Sequence, residues 1–120
     1  MSKEAWKVRD NSYLYGDTKV GVSLLTSKDY IFVGCNIEHR YRCHDIHAEV
    51  NLISQMISAG EREIKAILIA AKRNYFTPCG SCMDWIIQFA ADNCIVGIQS
   101  VKGGEIRWFN WKELMPHYPR

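Results

Sequence analysis

A three-layer α/β/α sandwich, built on a mixed sheet of about five strands, is the fold class this sequence predicts. Three observations carry it. Segments with strand character alternate along the chain with segments of helical period. The first two strands are separated only by Ser27-Lys28-Asp29, so they form an antiparallel hairpin and the sheet is mixed. Ile64 to Ala71 is almost continuously apolar, as expected of a strand covered on both faces.

In chain order, Glu4 to Val8 starts a short helix that Asp10, Asn11, Ser12 and Gly16 break up. Val20 to Thr26 (Val-Gly-Val-Ser-Leu-Leu-Thr) reads as the first strand and Tyr30 to Cys35 as the second. Asn36 to Ile46 is polar, rich in His and Arg, and loop-like. From His47 the period changes: Val50, Ile53, Met56 and Ile57 recur at helical spacing, with Asp45 the expected N-cap and Gly60 the C-terminal cap. After the strand at Ile64–Ala71, Thr77-Pro78 reads as an N-cap followed by the first helical residue. Cys82, Ile86, Phe89 and Ala90 give that helix its apolar stripe, which stops at Asp92-Asn93. Cys94 to Ser100 and Glu105 to Asn110 are strands around a turn at Gly103-Gly104, and Trp111 to Met115 is a last short helix before Pro116. No repeat, low-complexity stretch or linker interrupts this order, so residues 1–120 are expected to form a single domain.

Bulk composition narrows the function. Apolar residues make up 48% and charged residues 23% of 120, a globular balance without the signature of disorder. A net charge of +2, with Lys and Arg scattered along the chain, gives no basic stripe, so no nucleic-acid partner is expected. Arg40 and Arg42 with His39 and His44 are the nearest thing to a cluster, more in keeping with a solvated loop than a phosphate site. No apolar run approaches a membrane span and the first residues open no secretory pattern. Five cysteines, an odd number, disfavour a disulfide framework; they suit a reducing, cytoplasmic setting with thiols free for metal.

Two short motifs carry chemistry: His47-Ala48-Glu49 and Pro78-Cys79-Gly80-Ser81-Cys82. Each opens a helix, and helix N-termini present free N–H groups and a partial positive charge that stabilise thiolates. Cys79 and Cys82, three apart on one first turn, with His47 from another helix start, make three ligands for Zn2+. Three protein ligands leave a fourth position for water, the mark of a catalytic site, and zinc acidifies that water. Glu49, nearby but not ligating, suits the shuttling of a proton from water to a leaving amine. His47 and Glu49 are two apart, which would diverge in mid-helix but converge on a site at the helix end. A thioredoxin-like dithiol would not need the His-x-Glu motif, and a structural zinc would need a fourth ligand from Cys35, Cys43, His44 or Cys94. Cys35 and Cys94 lie in apolar strands and read as core. His39, His44 and His117 read as surface or loop residues, and the four tryptophans as core or interface aromatics.

His-x-Glu followed by Pro-Cys-x-x-Cys is the signature of zinc nucleobase deaminases. From Val20 to Pro116 the chain resembles the cytidine deaminase family, in its small homotetrameric nucleoside branch. Val20-Gly21-Val22-Ser23-Leu24-Leu25-Thr26 is similar to that family's first strand, and Gly34-Cys35-Asn36-Ile37-Glu38 to its Gly-Cys-Asn-Val-Glu. Pro78-Cys79-Gly80-Ser81-Cys82 matches its Pro-Cys-Gly-x-Cys, and Glu113-Leu114-Met115-Pro116 its closing segment. The resemblance implies hydrolytic deamination of a cytosine-type nucleoside to the uracil product and ammonia. It implies Asn36 and Glu38 on the sugar hydroxyls, backbone near Ala48 and Cys79 on the base, and a homotetramer whose sites borrow neighbouring residues, around Tyr118.

Three departures bear on the substrate. The branch usually carries Cys-Ala-Glu-Arg where His47-Ala48-Glu49-Val50 stands. Two thiolates and a neutral imidazole already balance Zn2+, so no arginine is needed to offset a third thiolate. Thr18 aligns with an aromatic that packs on the base, and His39-Arg40-Tyr41-Arg42-Cys43 replaces a small polar stretch at the pocket mouth. These changes leave a nucleotide, a free base, or a modified cytosine nucleoside such as an antibiotic as the alternative substrates. A non-enzymatic zinc-stabilised binding protein is the alternative from another class.

Overall fold

In the computed structural model, which describes residues 1–120, five strands form one mixed sheet. They are β1 (Gly21–Thr26), β2 (Ile31–Cys35), β3 (Ile64–Ala70), β4 (Ala90–Gln99) and β5 (Arg107–Asn110), in the spatial order β2-β1-β3-β4-β5. β1 pairs antiparallel with both β2 and β3, β3 and β4 are parallel, and β5 returns antiparallel to β4. The apolar strand at the centre is β3, as its composition predicts, with five of its residues fully buried. β2, β3 and β4 therefore run in one direction, and the loops leaving β2 and β3 emerge at the same edge of the sheet.

Helices cover both faces. Helix α1 (Ser2–Arg9) packs on β1, β2 and β3 and buries Ala5 and Trp6 against Ala70. Helices α2 (Ala48–Ser58) and α3 (Gly80–Phe89) pack on the opposite face. There the main core joins Val22 and Leu24 of β1, Ile67 and Ile69 of β3 and Val96 of β4 to Leu52, Ile53, Met56, Ile86 and Ile87. The period-two alternation of β1 explains the division: Val22 and Leu24 face this core, while Ser23 donates to the Met1 carbonyl on the α1 side at 2.8 Å. Buried Gln99 fastens α1 to β4, accepting from Trp6 Nε1 at 2.7 Å and Ser2 Oγ at 2.6 Å and donating to the Gly104 carbonyl at 2.9 Å. Helix α4 (Trp111–Leu114) closes on β4 and β5 behind a capping box of Asn110 and Glu113.

Gly21 shows how closely α1 sits. A Cβ there would lie 2.0 Å from the Ala5 carbonyl oxygen, a backbone atom that cannot step aside. Gly21→Ala is expected to destabilise the protein by about 3 kcal/mol or more, the upper range of overpacking, read as a lowered urea unfolding midpoint. An unchanged midpoint would show that α1 contributes nothing to the cooperative fold.

The helix boundaries correct three expectations. Asp45 is not the N-cap of α2; His47 is, because the Asp45 carboxylate is engaged with the His39 N–H at 2.7 Å and Arg42 Nε at 2.9 Å. Thr77 and Pro78 do not start α3; Cys79 is its N-cap, its Sγ accepting the Cys82 N–H at 3.4 Å. Helix α3 ends at Phe89, and Ala90 is already extended and paired with Ile64. Asp92 and Asn93, read from the sequence as a helix stop, are exposed residues of a register shift in β4. Gly60 ends α2 as expected: it takes φ +90°, its N–H reaches the Ile57 carbonyl and Glu61 N–H reaches Met56, the Schellman arrangement.

Candidate metal centre and active site

The loops leaving β2 and β3 deliver the N-termini of α2 and α3 to one place. His47 and Cys79, the two N-caps, and Cys82 in the first turn of α3 bring one ligand atom each within 4.8 Å of one another. His47 Nδ1 lies 3.2 Å from Cys82 Sγ and 3.5 Å from Cys79 Sγ. A tetrahedral zinc at ordinary bond lengths, about 2.3 Å to sulfur and 2.0–2.1 Å to nitrogen, places such N and S ligands about 3.5 Å apart. The donor set therefore fits zinc in both chemistry and spacing.

Three ligands converge, and no fourth His, Cys, Asp or Glu joins them. Cys35, Cys43, Cys94 and His44 all lie outside the cluster, which disfavours a closed structural site. Cys94 is fully buried in the main core, as its apolar surroundings predict.

Glu49 stands beside the cluster without belonging to it. Its side chain is almost wholly buried, in the first turn of α2. Burial pushes its carboxyl above the usual range, against the opposing pull of its own backbone N–H, the Cys82 thiol and His47. The Cys82 thiol is likewise driven far up by burial, with the Glu49 charge adding to it. Burial thus disfavours negative charge on both the Glu49 carboxyl and the Cys82 thiol, a cost that a bound cation would relieve.

A cavity of about 310 Å³ opens over this cluster. His47, Ala48, Glu49 and Cys79 line one part; Asn36, Glu38, Arg42 and Thr18 line others. All the sequence-predicted site residues thus meet in one place, with Cys82 buried beneath the wall. The segment bearing Asn36 and Glu38 is pinned on both sides, Ile37 exchanging backbone hydrogen bonds with Ile46 and Glu38 N–H donating to the Tyr13 carbonyl. Asn36 accepts the Val20 N–H and donates to the Thr18 carbonyl, both at 2.9 Å, which leaves one amide hydrogen and one lone pair. Glu38 accepts two N–H bonds of 2.6 Å, from Tyr15 and Gly16, and pairs with Arg42 Nη2 at 3.0 Å.

Arg42 bridges Glu38 and Asp45, so this one of the two cations of the His39–Cys43 segment is balanced within the pocket rim, while Arg40 lies over the Tyr41 ring. Its charge is held more firmly than usual by the Asp45 hydrogen bond, and the His39 N–H keeps Asp45 ionised below the usual carboxylate range. Phe76 and Arg73, on the loop after β3, also line the cavity and were not anticipated. Phe76 is the one benzenoid ring in the lining, and its place two residues before Pro78 is the signal the sequence offers. Tyr118 bonds Asp84 of its own chain.

Residues 1–98 match the family model described as the cytidine and deoxycytidylate deaminase zinc-binding region. A protein of Sporosarcina psychrophila named cytidine deaminase is 31% identical over 102 residues, 83% of this chain and 75% of its own. A second cytidine deaminase, from Halalkalibacterium halodurans, is 28% identical over 97% of this chain and 89% of its own. The crystal structure of cytidine deaminase from Burkholderia pseudomallei superposes with a TM-score of 0.85 at 26% identity, covering 96% of this chain and 93% of that one.

Proposed function

This chain belongs to the cytidine and deoxycytidylate deaminase zinc-binding family, and from that premise we propose that it hydrolyses the amine of a cytosine nucleoside, giving the uracil nucleoside and ammonia. One observation carries the reading: a three-ligand cluster of zinc spacing with a buried, non-ligating carboxylate beside it, at the floor of a cavity. His47, Cys79 and Cys82 would hold the metal, which would supply Lewis acidity for the activation of water. Glu49 takes a proton from the attacking water at its carboxylate and delivers it to the departing amino group. Burial of Glu49 keeps that proton away from bulk solvent between the two transfers.

The base lies between the backbone at Ala48 and the ring of Phe76, which supplies the aromatic face that Thr18 lacks. Asn36 and Glu38 hold the sugar hydroxyls with the bonding capacity their loop contacts leave free. The His39–Cys43 segment sets the pocket mouth, fixed there by the Arg42 ion pairs. The assembly is a homotetramer in the cytoplasm; exposed Ile46 and Trp85, at the rim of the helix α2 and α3 start, support a surface that a second copy covers.

Ammonia release from a panel of cytosine, cytidine, deoxycytidine and modified cytosine nucleosides tests the reading. Nucleosides are expected to turn over and the free base to do so far more slowly, because it forfeits the sugar contacts. Absence of ammonia from every compound, with zinc bound, sinks the proposal. Light scattering that returned the mass of a single chain would sink the tetramer alone.

A further inference from the structure

Glu38 enters the cavity with most of its bonding capacity already spent. Its Oε1 accepts the N–H groups of Tyr15 and Gly16, both at 2.6 Å, and its Oε2 accepts Arg42 Nη2 at 3.0 Å. A carboxylate offers about four acceptor sites, so these three bonds leave one, on Oε2, beside the lone pair that Arg42 occupies. The Glu38 side chain is only 8% exposed, so its neighbours, not water, decide where that last lone pair lies.

Arg42 is itself held at two points. Its Nε donates to Asp45 Oδ2 at 2.9 Å, and Asp45 Oδ1 accepts the His39 N–H at 2.7 Å. The 3₁₀ turn Arg42–His44 ties the same two residues through the backbone, the Asp45 N–H donating to the Arg42 carbonyl at 3.1 Å. A planar guanidinium bonded to two carboxylates cannot turn without breaking one of the bonds, a constraint that a lysine ammonium does not impose. Arg42 is also the only cation paired with Glu38. Without it the two bonds to Oε1 would remain, but the carboxylate could turn about them, and a nearly buried charge would lose its compensation.

We propose that Arg42 is a positioning residue for sugar recognition: held by Asp45, it fixes Glu38 so that the one free lone pair of Oε2 meets a ring hydroxyl of the nucleoside. The inference rests on the reading that Glu38 faces the sugar, and it adds the residue that sets the Glu38 orientation. Arg42 acts through Glu38, so its contribution disappears when the Glu38 carboxylate is gone.

The test compares ammonia release from cytidine and from 2′,3′-dideoxycytidine, which lacks both ring hydroxyls, for the zinc-loaded wild type and for Arg42→Ala. The wild type is expected to prefer cytidine, and the ratio of the two kcat/KM values is expected to fall roughly tenfold in Arg42→Ala, the loss lying in KM. A rim that had merely loosened would slow both compounds alike and leave the ratio unchanged, which overturns the inference while nucleoside deamination stands. Glu38→Gln and Glu38→Gln/Arg42→Ala complete the cycle. Adding Arg42→Ala to Glu38→Gln is expected to change the ratio by less than about twofold, and costs that multiply overturn action through Glu38. Arg42→Met, which keeps the apolar stem, takes the place of Arg42→Ala if a thermal melt shows that variant unfolded. Calorimetric titration of the Glu49→Gln protein with the same two compounds, with and without Arg42→Ala, reads the preference without turnover. If neither compound is turned over by zinc-loaded protein, the deaminase reading falls and the calorimetry decides Arg42: a preference for cytidine that Arg42→Ala abolishes upholds it, and no preference overturns it.

Discussion

Glu49→Ala protein is expected to release no measurable ammonia from any cytosine nucleoside while retaining its zinc. Loss of a positioned proton shuttle costs about 10²–10⁴-fold, and here the same carboxylate serves both transfers, so the upper end or beyond applies. Retention of zinc follows from the geometry: the three ligand atoms converge without Glu49, whose carboxylate stands outside their cluster. Glu49→Gln sharpens the result. It keeps the volume and a hydrogen-bonding tip but removes a charge whose burial is already unfavourable. The glutamine variant is therefore expected to be inactive yet at least as resistant to thermal unfolding as the wild type, a stability–activity exchange typical of catalytic carboxylates. Zinc content by emission spectroscopy and a thermal melt, run beside the ammonia assay, separate a lost proton shuttle from a lost site. A fully active Glu49→Ala enzyme overturns the mechanism.

Cys82→Ala carries the second large effect. Cys82 is the proposed ligand that solvent cannot reach, lying fully buried on the first turn of α3, with His47 Nδ1 3.2 Å from its sulfur. Removing it leaves two ligands and an open, hydrated face, too few for the tetrahedral set of a catalytic zinc. Zinc is expected to fall from about one per chain to none, and ammonia release with it. Cys94→Ala is the control. Cys94 is as deeply buried but packs in the main core away from the cluster, so its loss is expected to cost about 1 kcal/mol of packing with zinc and activity kept. Equal zinc loss in both variants would mean that packing, not ligation, ties Cys82 to the metal.

How much of this was legible in the sequence depended on whether the signal was local. The strand centres, the Gly60 cap and the central position of β3 follow from periodicity, left-handed glycine and a continuous apolar run, all readable within a dozen residues. Caps were misread where a competing partner lay elsewhere. Asp45 is chemically a good N-cap, but Arg42 and the His39 N–H hold it, and Cys79 sulfur takes the role expected of Thr77. The end of α3 was placed late because Ala90 is apolar and fits the helical stripe, whereas pairing with Ile64 makes it extended.

The three residues proposed to bind metal, and Glu49 beside them, are legible as motifs, since their spacing encodes the first turn of each helix. Phe76 and Arg73 were missed because they sit on a loop without periodicity, and only the turn of the chain after β3 aims them at the cavity. Arg42 was visible as a cation, but its neutralisation by Glu38 and Asp45 required three-dimensional proximity. Likewise Arg9, Lys19, Lys72 and Arg73 line one surface depression only because α1, β1 and β3 come together.

The strand order has a further consequence, for the time course of folding. β3 pairs with β1, joining Gly21 to Ala70, and with β4 in parallel, so the sheet centre closes only across long stretches of chain. Such non-local closure slows folding relative to a helical protein of equal length. Helices α2 and α3 flank β3 in sequence, and their first turns meet only after β3 has taken its place between β1 and β4. Metal capture is therefore expected to follow closure of the sheet: zinc uptake by refolding protein should lag the recovery of strand signal, and uptake ahead of that recovery would show that the site forms first.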